Sequence, residues 1–304
     1  MKPVNEILRC ADCRGKLAIG QGELVCLKCG RDYPVEAGVV KMMTKVGADL
    51  KLSTEKWDWQ YKCQLESGSF RKVAEDYNRY YTSDVVRQLL ESATNRRVYL
   101  EIGCGQFFLG QALAKEYDLV VGVDVCPSAL KIAKLLLDEK KIKNYLLVQA
   151  DILKLPVADK VVSTVYGGGV IEHFRDTVTC VRELYRVLEA RGNCFNTVPM
   201  LNLSTFTWRQ LWGNVADIEG LRQIMEFVHM RLLQGRHMKY GYEKSFSMTK
   251  MKKIYKMAGF KRVEVGKFDI VIPGLAGEGT VKKMARWMLN RSWFWPVIKV
   301  NGIK

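Results

Sequence analysis

From residue 98 onward, short apolar runs alternate with amphipathic helical stretches, and this alternation constrains the fold more than any other feature. VYLEI (98–102) leads through a glycine turn into the helical LGQALAKEY (109–117). LVVGVD (119–124) precedes the helical SALKIAKLLLDEK (128–140). YLLVQAD (145–151) and VVSTVY (161–166) come next, before the helical DTVTCVRELYRVLEA (176–190), and NCFNTVP (193–199) is a fifth run. Strands that are apolar on both faces, interleaved with helices, imply a parallel, doubly wound α/β sheet. At 304 residues and 48% hydrophobic side chains, the chain has room for two domains or one large one. Charged residues at 26% and aromatics at 10% exclude wholesale disorder. No apolar run has the length of a membrane span, and MKPVNEILRC lacks a signal-peptide core, so a cytoplasmic protein is expected.

Nine cysteines exclude complete internal pairing, and four of them fall in the first thirty residues as Cys10-x-x-Cys13 and Cys26-x-x-Cys29. Two such knuckles present paired thiolates to one point, the pattern of a closed, structural Zn²⁺ site. Gly20 and Gly22 in the spacer allow the chain to reverse and return as a ribbon. Residues 1–45 read as this zinc ribbon, ending in a strand-like stretch from Arg31 to Met43. Residues 46–96 carry Trp57, Trp59, Tyr61, Tyr77, Tyr80 and Tyr81, too many aromatics for a linker, and read as a helical cap.

In an open α/β sheet, ligands sit at the carboxyl edge of the strands, near the point where strand order reverses. There the first run ends in Glu101-Ile-Gly103-Cys-Gly105, where two glycines admit a ligand close to the backbone at the start of a helix. Such a turn alone would equally suit a nicotinamide enzyme. The second run ends in Asp124, positioned for ribose hydroxyls, and the third in Ala150-Asp151-Ile152, positioned for an adenine edge. The fourth leads into Gly169-Val-Ile-Glu172-His173-Phe174 at the edge of the cleft.

These residues resemble the Rossmann-like methyltransferases that use S-adenosylmethionine (SAM), near the ubiquinone/menaquinone-methyltransferase branch. The likeness runs through LEIGCG, VVGVD, QADILKLP, GGVIEHF, ELYRVL and NTVP, and more weakly over Tyr242–Phe260. Residues 7–43 resemble the zinc ribbon that activates some tRNA and protein methyltransferases, a module also found fused in front of methyltransferase domains; some bacterial ribosomal-RNA methyltransferases carry a comparable one. The resemblance implies a mostly parallel seven-stranded sheet. It implies that Gly103 and Gly105 face the methionine part of SAM, Glu101 orients that loop and is a candidate to meet the amino group, Asp124 takes the ribose, and Asp151 with Ile152 the adenine. One departure stands out: Phe107 occupies the place of a third small residue, so it either crowds the methionine pocket or turns into the helix–sheet core. His173 is the candidate general base, although closing the cleft is the favoured role for that position. His229 and His237 are expected to be packing or surface residues.

The expected layout is a zinc ribbon (1–45), a helical cap (46–96), a methyltransferase domain (97–273) with a helical insertion (201–246), and a basic aromatic tail (274–304). Acceptor choice belongs to the parts outside the sheet. The insertion carries Phe206, Trp208 and Trp212, then the amphipathic EGLRQIMEFVHMRLLQ. Residues 201–304 hold 19 basic and 7 acidic side chains, so +12 of the +16 net charge lies there, pointing to an anionic partner. A small or lipid-linked acceptor is expected, with ribosomal or transfer RNA as the alternative and a non-catalytic scaffold as a third class. In the tail, Val281, Met284 and Met288 would share one helical face, with Lys282, Lys283, Arg286 and Asn290 pointing mostly away. That pattern suggests peripheral attachment to an anionic membrane surface.

Overall fold

The computed structural model describes residues 4–43, 47–268, 279–289, 291 and 293–304. The chain opens on a short helix, α1 (Val4–Ile7), and an antiparallel ribbon of β1 (Leu17–Ile19), β2 (Glu23–Cys26), β3 (Asp32–Glu36) and β4 (Val39–Lys41). The aromatic-rich segment is helical: α2 (Ala48–Ser67), α3 (Phe70–Tyr77), a π-helical turn at Asn78–Thr82, and α4 (Ser83–Ser92). The alternation then folds as read, through β5 (Val98–Ile102), α5 (Phe108–Leu113), β6 (Leu119–Asp124), α6 (Pro127–Glu139) and β7 (Tyr145–Gln149). It continues with β8 (Val162–Gly168), α7 (Thr177–Val187) and β9 (Leu188–Pro199). The insertion holds β10 (Asn214–Ala216), α8 (Leu221–Glu226) with a π-helical continuation over Phe227–Leu232, and β11 (Glu243–Ser245). Last come α9 (Met248–Ala258), β12 (Arg262–Lys267), α10 (Thr280–Leu289) and β13 (Val297–Ile303).

Local signals set these boundaries. Pro127 opens α6, where its missing N–H costs nothing. Asp176 and Ser247 cap α7 and α9 by accepting from the N–H groups of Thr179 and Lys250, and Gly259 ends α9 in the left-handed conformation. α5 and α7 are shorter than the periodicity suggests, and β9 begins at Leu188, inside the stretch read as helix.

The strand order is β1-β2-β3-β4-β7-β6-β5-β8-β9-β13-β12. The expected seven-stranded sheet is the portion from β7 to β12, parallel except for β13, which runs antiparallel to both neighbours. Two expectations need correction. The zinc ribbon is not a separate body, because β4 pairs in parallel with β7 (Val39↔Leu147 to Lys41↔Gln149) and extends the sheet to eleven strands. This pairing covers a strand edge that would otherwise stand open. The tail is not wholly outside the domain either, since Val297–Ile303 inserts between β9 and β12. Its buried Ile298 and Val300 alternate with Lys299 and Asn301, a strand period inconspicuous within a basic segment. Residues 274–278 and Asn290, with the side chains of Val281 and Arg286, lie outside the described residues.

One sheet face packs against α7 and α9 through Leu184, Met251 and Ile254. The other packs against α4, α5 and α6 through Leu89, Leu113 and Leu137. Among the described residues, no helix is long and apolar enough to cross a membrane.

Candidate cofactor cleft and metal centre

The Sγ atoms of Cys10, Cys13, Cys26 and Cys29 all lie within 4.8 Å of one another, with Cys10–Cys29 at 3.7 Å and Cys13–Cys26 at 3.5 Å. A tetrahedral zinc with bonds of about 2.3 Å places its sulfurs about 3.8 Å apart, so the four thiols fit that ion. The surroundings fit as well: the Cys13 and Lys28 N–H groups point at Cys10 and Cys26 sulfur, 3.5 and 3.4 Å away. A side chain at Gly15 would come within 2.9 Å of Cys26 Sγ and 2.8 Å of Lys28 Cβ, so the knuckle leaves no room for one. Arg14, inside the ribbon, donates to the Leu155 carbonyl (2.5 Å) and pairs with Glu183 (2.6 Å), fastening the module to the loop after β7 and to α7.

At the carboxyl edge of the sheet, the Gly103–Gly105 turn links β5 to α5, with both glycines at positive φ (54° and 52°). Asp124, at the end of β6, accepts from Gly105 N–H and Cys126 N–H, each at 2.8 Å. It thereby joins the two turns, and each oxygen retains acceptor capacity. Burial raises its carboxyl above the ordinary range. Asp151, half-buried after β7, accepts from Leu153 N–H (2.9 Å), and Ile152 beside it is buried.

Glu101 turns back from the cleft into the sheet–helix layer, where its Oε2 accepts from Gly110 N–H (2.9 Å) and Tyr99 OH (3.2 Å). Burial is the main cause that pushes its carboxyl from 4.5 up to about 8, and the nearby Asp124 adds to it. The folded value lies above the unfolded one, so this group's contribution to stability is full below about 4.5 and is lost as pH rises through about 8. Urea unfolding across that window should show stability falling with pH, and Glu101→Gln should flatten the slope. An unchanged slope would locate the effect elsewhere.

Phe107 takes the left-handed conformation (φ 61°) usually reserved for glycine, and its ring is fully buried. The ring lies against Gly110 and Gly122, inside the layer between α5 and the sheet. Of the two outcomes open for Phe107, it takes the core, and the glycine turn keeps its form.

Sequence reasoning left the cap's individual residues unassigned, although its aromatic richness was the visible signal. α2 lies across the strand ends and touches the turns after β5 and β6. Its Asp58 accepts from Ser128 N–H at the start of α6 (3.1 Å), its Thr54 carbonyl from Cys126 Sγ, and its Gln64 from Gln106. Tyr61 is poised over Gly105, where a Cβ would stand 2.6 Å from the phenol oxygen. On its other side α2 grips the insertion: Trp57 stacks on Tyr240 (5.1 Å), Lys56 donates to the carbonyls of Gly235 and Met238, and Ser53 Oγ accepts from Tyr242 N–H.

His173, buried after β8, donates from Nδ1 to the Tyr242 carbonyl (2.7 Å), which ties the cleft edge to the insertion. Burial lowers its pKa, against the opposing pull of the backbone groups of Tyr242 and Gly169. Glu172 is buried with Oε2 unpartnered, and Glu243, Lys244 and Arg209 are its charged neighbours. A second feature unseen in the sequence is the hydroxyl contact between Tyr81 and Tyr166 (2.5 Å), with Tyr166 oxygen lying over Gly168 at the end of β8. His229 and His237 form a contact of their own (2.9 Å) within the insertion.

Residues 100–196 match the family described as a methyltransferase domain, and residues 4–38 match the one described as Trm112p-like protein. Residues 100–196 accordingly form a methyltransferase domain, on the Rossmann-like fold of the SAM-dependent class. More particularly, a Trm112p-like module precedes that domain in the same chain. No curated protein matches the chain. Among solved structures it is similar to a complex of the Haloferax volcanii Trm112 methyltransferase activator with a methyltransferase described as putative. That likeness has 16% identity and a TM-score of 0.54, covering 81% of this chain and 96% of that one. It is also similar to Haemonchus contortus phosphoethanolamine N-methyltransferase 2, solved with S-adenosyl-L-methionine (16% identity, TM-score 0.52, 80% of this chain). The present chain spans 60% of the nematode protein's length. At such identities the likenesses establish the fold alone.

Proposed function

We propose that the protein transfers the methyl group of SAM to a small or lipid-linked acceptor held beneath α2 and the insertion, in the cytoplasm. The observation that carries this reading is the roof over the strand ends, where α2 contacts the turns after β5 and β6 and also grips the insertion. A roofed site excludes water and suits an acceptor small enough, or slender enough at its reactive end, to enter it. When bound, SAM supplies an electrophilic methyl on a sulfonium, and its transfer demands alignment more than acid–base help. In this reading the Gly103–Gly105 turn faces the methionine part, Asp124 holds the ribose, and Asp151 with Ile152 meets the adenine. Glu101 fixes α5 and, through it, the turn. His173 closes the cleft through Tyr242. By analogy with the archaeal activator complex, the ribbon serves as an activator in cis, bracing β7 and the loop that carries Asp151.

Asp124→Ala is expected to weaken SAM binding by about 1.5–3 kcal/mol, the scale of a hydrogen bond to a charged group. Calorimetry on both proteins measures it, and equal affinity would remove Asp124 from the cofactor site. For the acceptor, purified protein and methyl-labelled SAM are incubated with a lysate resolved into soluble, lipid and RNA fractions. Label in the soluble or lipid fraction is the expected result, and label confined to RNA overturns it.

A second reading, RNA as acceptor, is favoured by one observation. Lys252, Lys253 and Lys256 of α9, with Lys261 and Arg262 beyond it, are exposed and without an ion pair among the described residues. RNA bound there would be lost steeply with rising salt.

A further inference from the structure

The helix formed by α8 and its π-helical continuation carries a buried and an exposed apolar side. Its inner side packs Leu221, Met225 and Met230 against Val215, Met238 and Tyr242. Its outer side presents Ile224, Phe227, Val228 and Leu232, which are 63%, 54%, 37% and 62% exposed. Their spacing places them on one face, through α-helical steps first and a π-helical step from Phe227 to Leu232. A contiguous exposed apolar face of this kind marks a contact with another apolar phase.

The charges around this face are arranged by sign. Arg231 and Arg236 are exposed and make no ion pair among the described residues. Glu226 is engaged by Tyr242 OH and Arg222, and Asp217 by Arg222 and Lys250, which leaves Glu219 as the exposed acid of this segment. α10 repeats the composition independently: Met284, Trp287 and Met288 share an exposed face, and Arg291 lies over the Trp287 ring at 4.5 Å. Trp293 is 68% exposed. From Gly279 to Lys304 the sequence has no acidic residue.

We propose that the outer face of helix 221–232 docks on the surface of an anionic lipid bilayer, with α10 as a second contact. Ile224, Phe227, Val228 and Leu232 enter the boundary between headgroups and acyl chains, while Arg231 and Arg236 meet lipid phosphates. The bilayer is favoured over RNA because three of the four side chains of the face, Ile224, Val228 and Leu232, are aliphatic and offer no stacking surface for bases. It is favoured over a second copy because unpaired cations of one sign border the face, and a self-complementary contact would bring them together. Docking here would bring the insertion, and the cleft edge tied to it through Tyr242 and His173, to the membrane. The inference deepens the lipid-linked half of the proposed function and rests on that half alone.

Flotation of the full-length protein tests it, using vesicles of phosphatidylcholine alone and vesicles containing about 30 mol% phosphatidylserine. Binding should be about tenfold stronger to the anionic vesicles, and the triple variant Ile224→Ser, Phe227→Ser, Leu232→Ser should lose it about tenfold. These side chains are exposed, so the variant should keep the wild-type melting transition and SAM affinity, which guards against misfolding as the cause. Absence of flotation, or equal flotation of the variant, overturns the proposal. So does a wild-type dimer in sedimentation that the variant dissociates, or RNA retention that the variant abolishes. Flotation with methyl label only in soluble products would retain the docking face and remove the lipid-linked acceptor.

Discussion

Replacing Cys10 with serine is expected to strip the protein of its zinc and unfold the N-terminal ribbon. The described ribbon, residues 4–43, buries eleven hydrophobic side chains, among them Leu17, Leu24 and Tyr33, and its strands are only three to five residues long. A unit that small cannot offset its chain entropy by burial alone. Structural zinc supplies on the order of 10–16 kcal/mol in comparable peptides, more than any other single contribution available to it. Metal analysis of protein purified without added metal should find about one zinc per chain in the wild type and almost none in the variant. The effect should spread, because β4 is held from both sides, by β3 in the ribbon and by β7 in the catalytic sheet. Hydrogen exchange should therefore report lost protection in β4 and along β7, as far as Gln149, which also binds Lys41 and the Val125 carbonyl. Undiminished zinc in the variant would end the assignment, and unchanged exchange in β7 would show that the ribbon does not brace the sheet.

The second large effect is expected from one methyl group. A Cβ at Gly110 would lie 2.1, 2.2 and 2.5 Å from three carbons of the Phe107 ring, far inside contact distance. The ring has nowhere to go: it is fully buried, and on its far side an added Cβ at Gly122 would already stand only 3.0 Å away. Relief would require α5 to move, and that would pull Gly110 N–H off the Glu101 carboxylate. Gly110→Ala should thus cost about 3 kcal/mol, at the upper end for overpacking. The denaturant midpoint at constant slope reads this directly. Phe107→Ala alone should cost about 3 kcal/mol or more through the cavity it leaves, softened by release of the left-handed strain. The double variant should fall well short of the sum, with a coupling of about 1–3 kcal/mol, since each change makes room for the other. Additive costs, or a Gly110→Ala protein as stable as wild type, would mean the ring is not locked between the two glycines.

Much of this protein is legible in its sequence, and the reasons differ by region. The parallel core followed from period: strands buried on both faces must be apolar throughout, as β6 is from Leu119 to Val123, and helices between them must carry one apolar stripe. The four cysteines were legible because ligand chemistry demands thiolates at short, fixed spacing. Asp124 and Asp151 were legible because residues at strand ends are placed by topology, whatever their neighbours. Sequence alone therefore determined the class of fold, the metal centre and the positions of the candidate cofactor side chains.

Contacts between segments remote in the chain were decided only in three dimensions. Whether Phe107 faced the cleft or the core depended on Gly110 and Gly122 making room for a ring, which no local pattern encodes. That Tyr61 would lie over Gly105, or Tyr81 against Tyr166, required the cap to fold back across the sheet. β4 and β13 found their places because open strand edges carry unpaired backbone groups and take whatever strand can satisfy them, so the ribbon and the tail were drawn into one sheet. Period and ligand spacing are written along the chain, whereas edge pairing, roofing and void filling are settled by which surfaces remain uncovered once the core has formed.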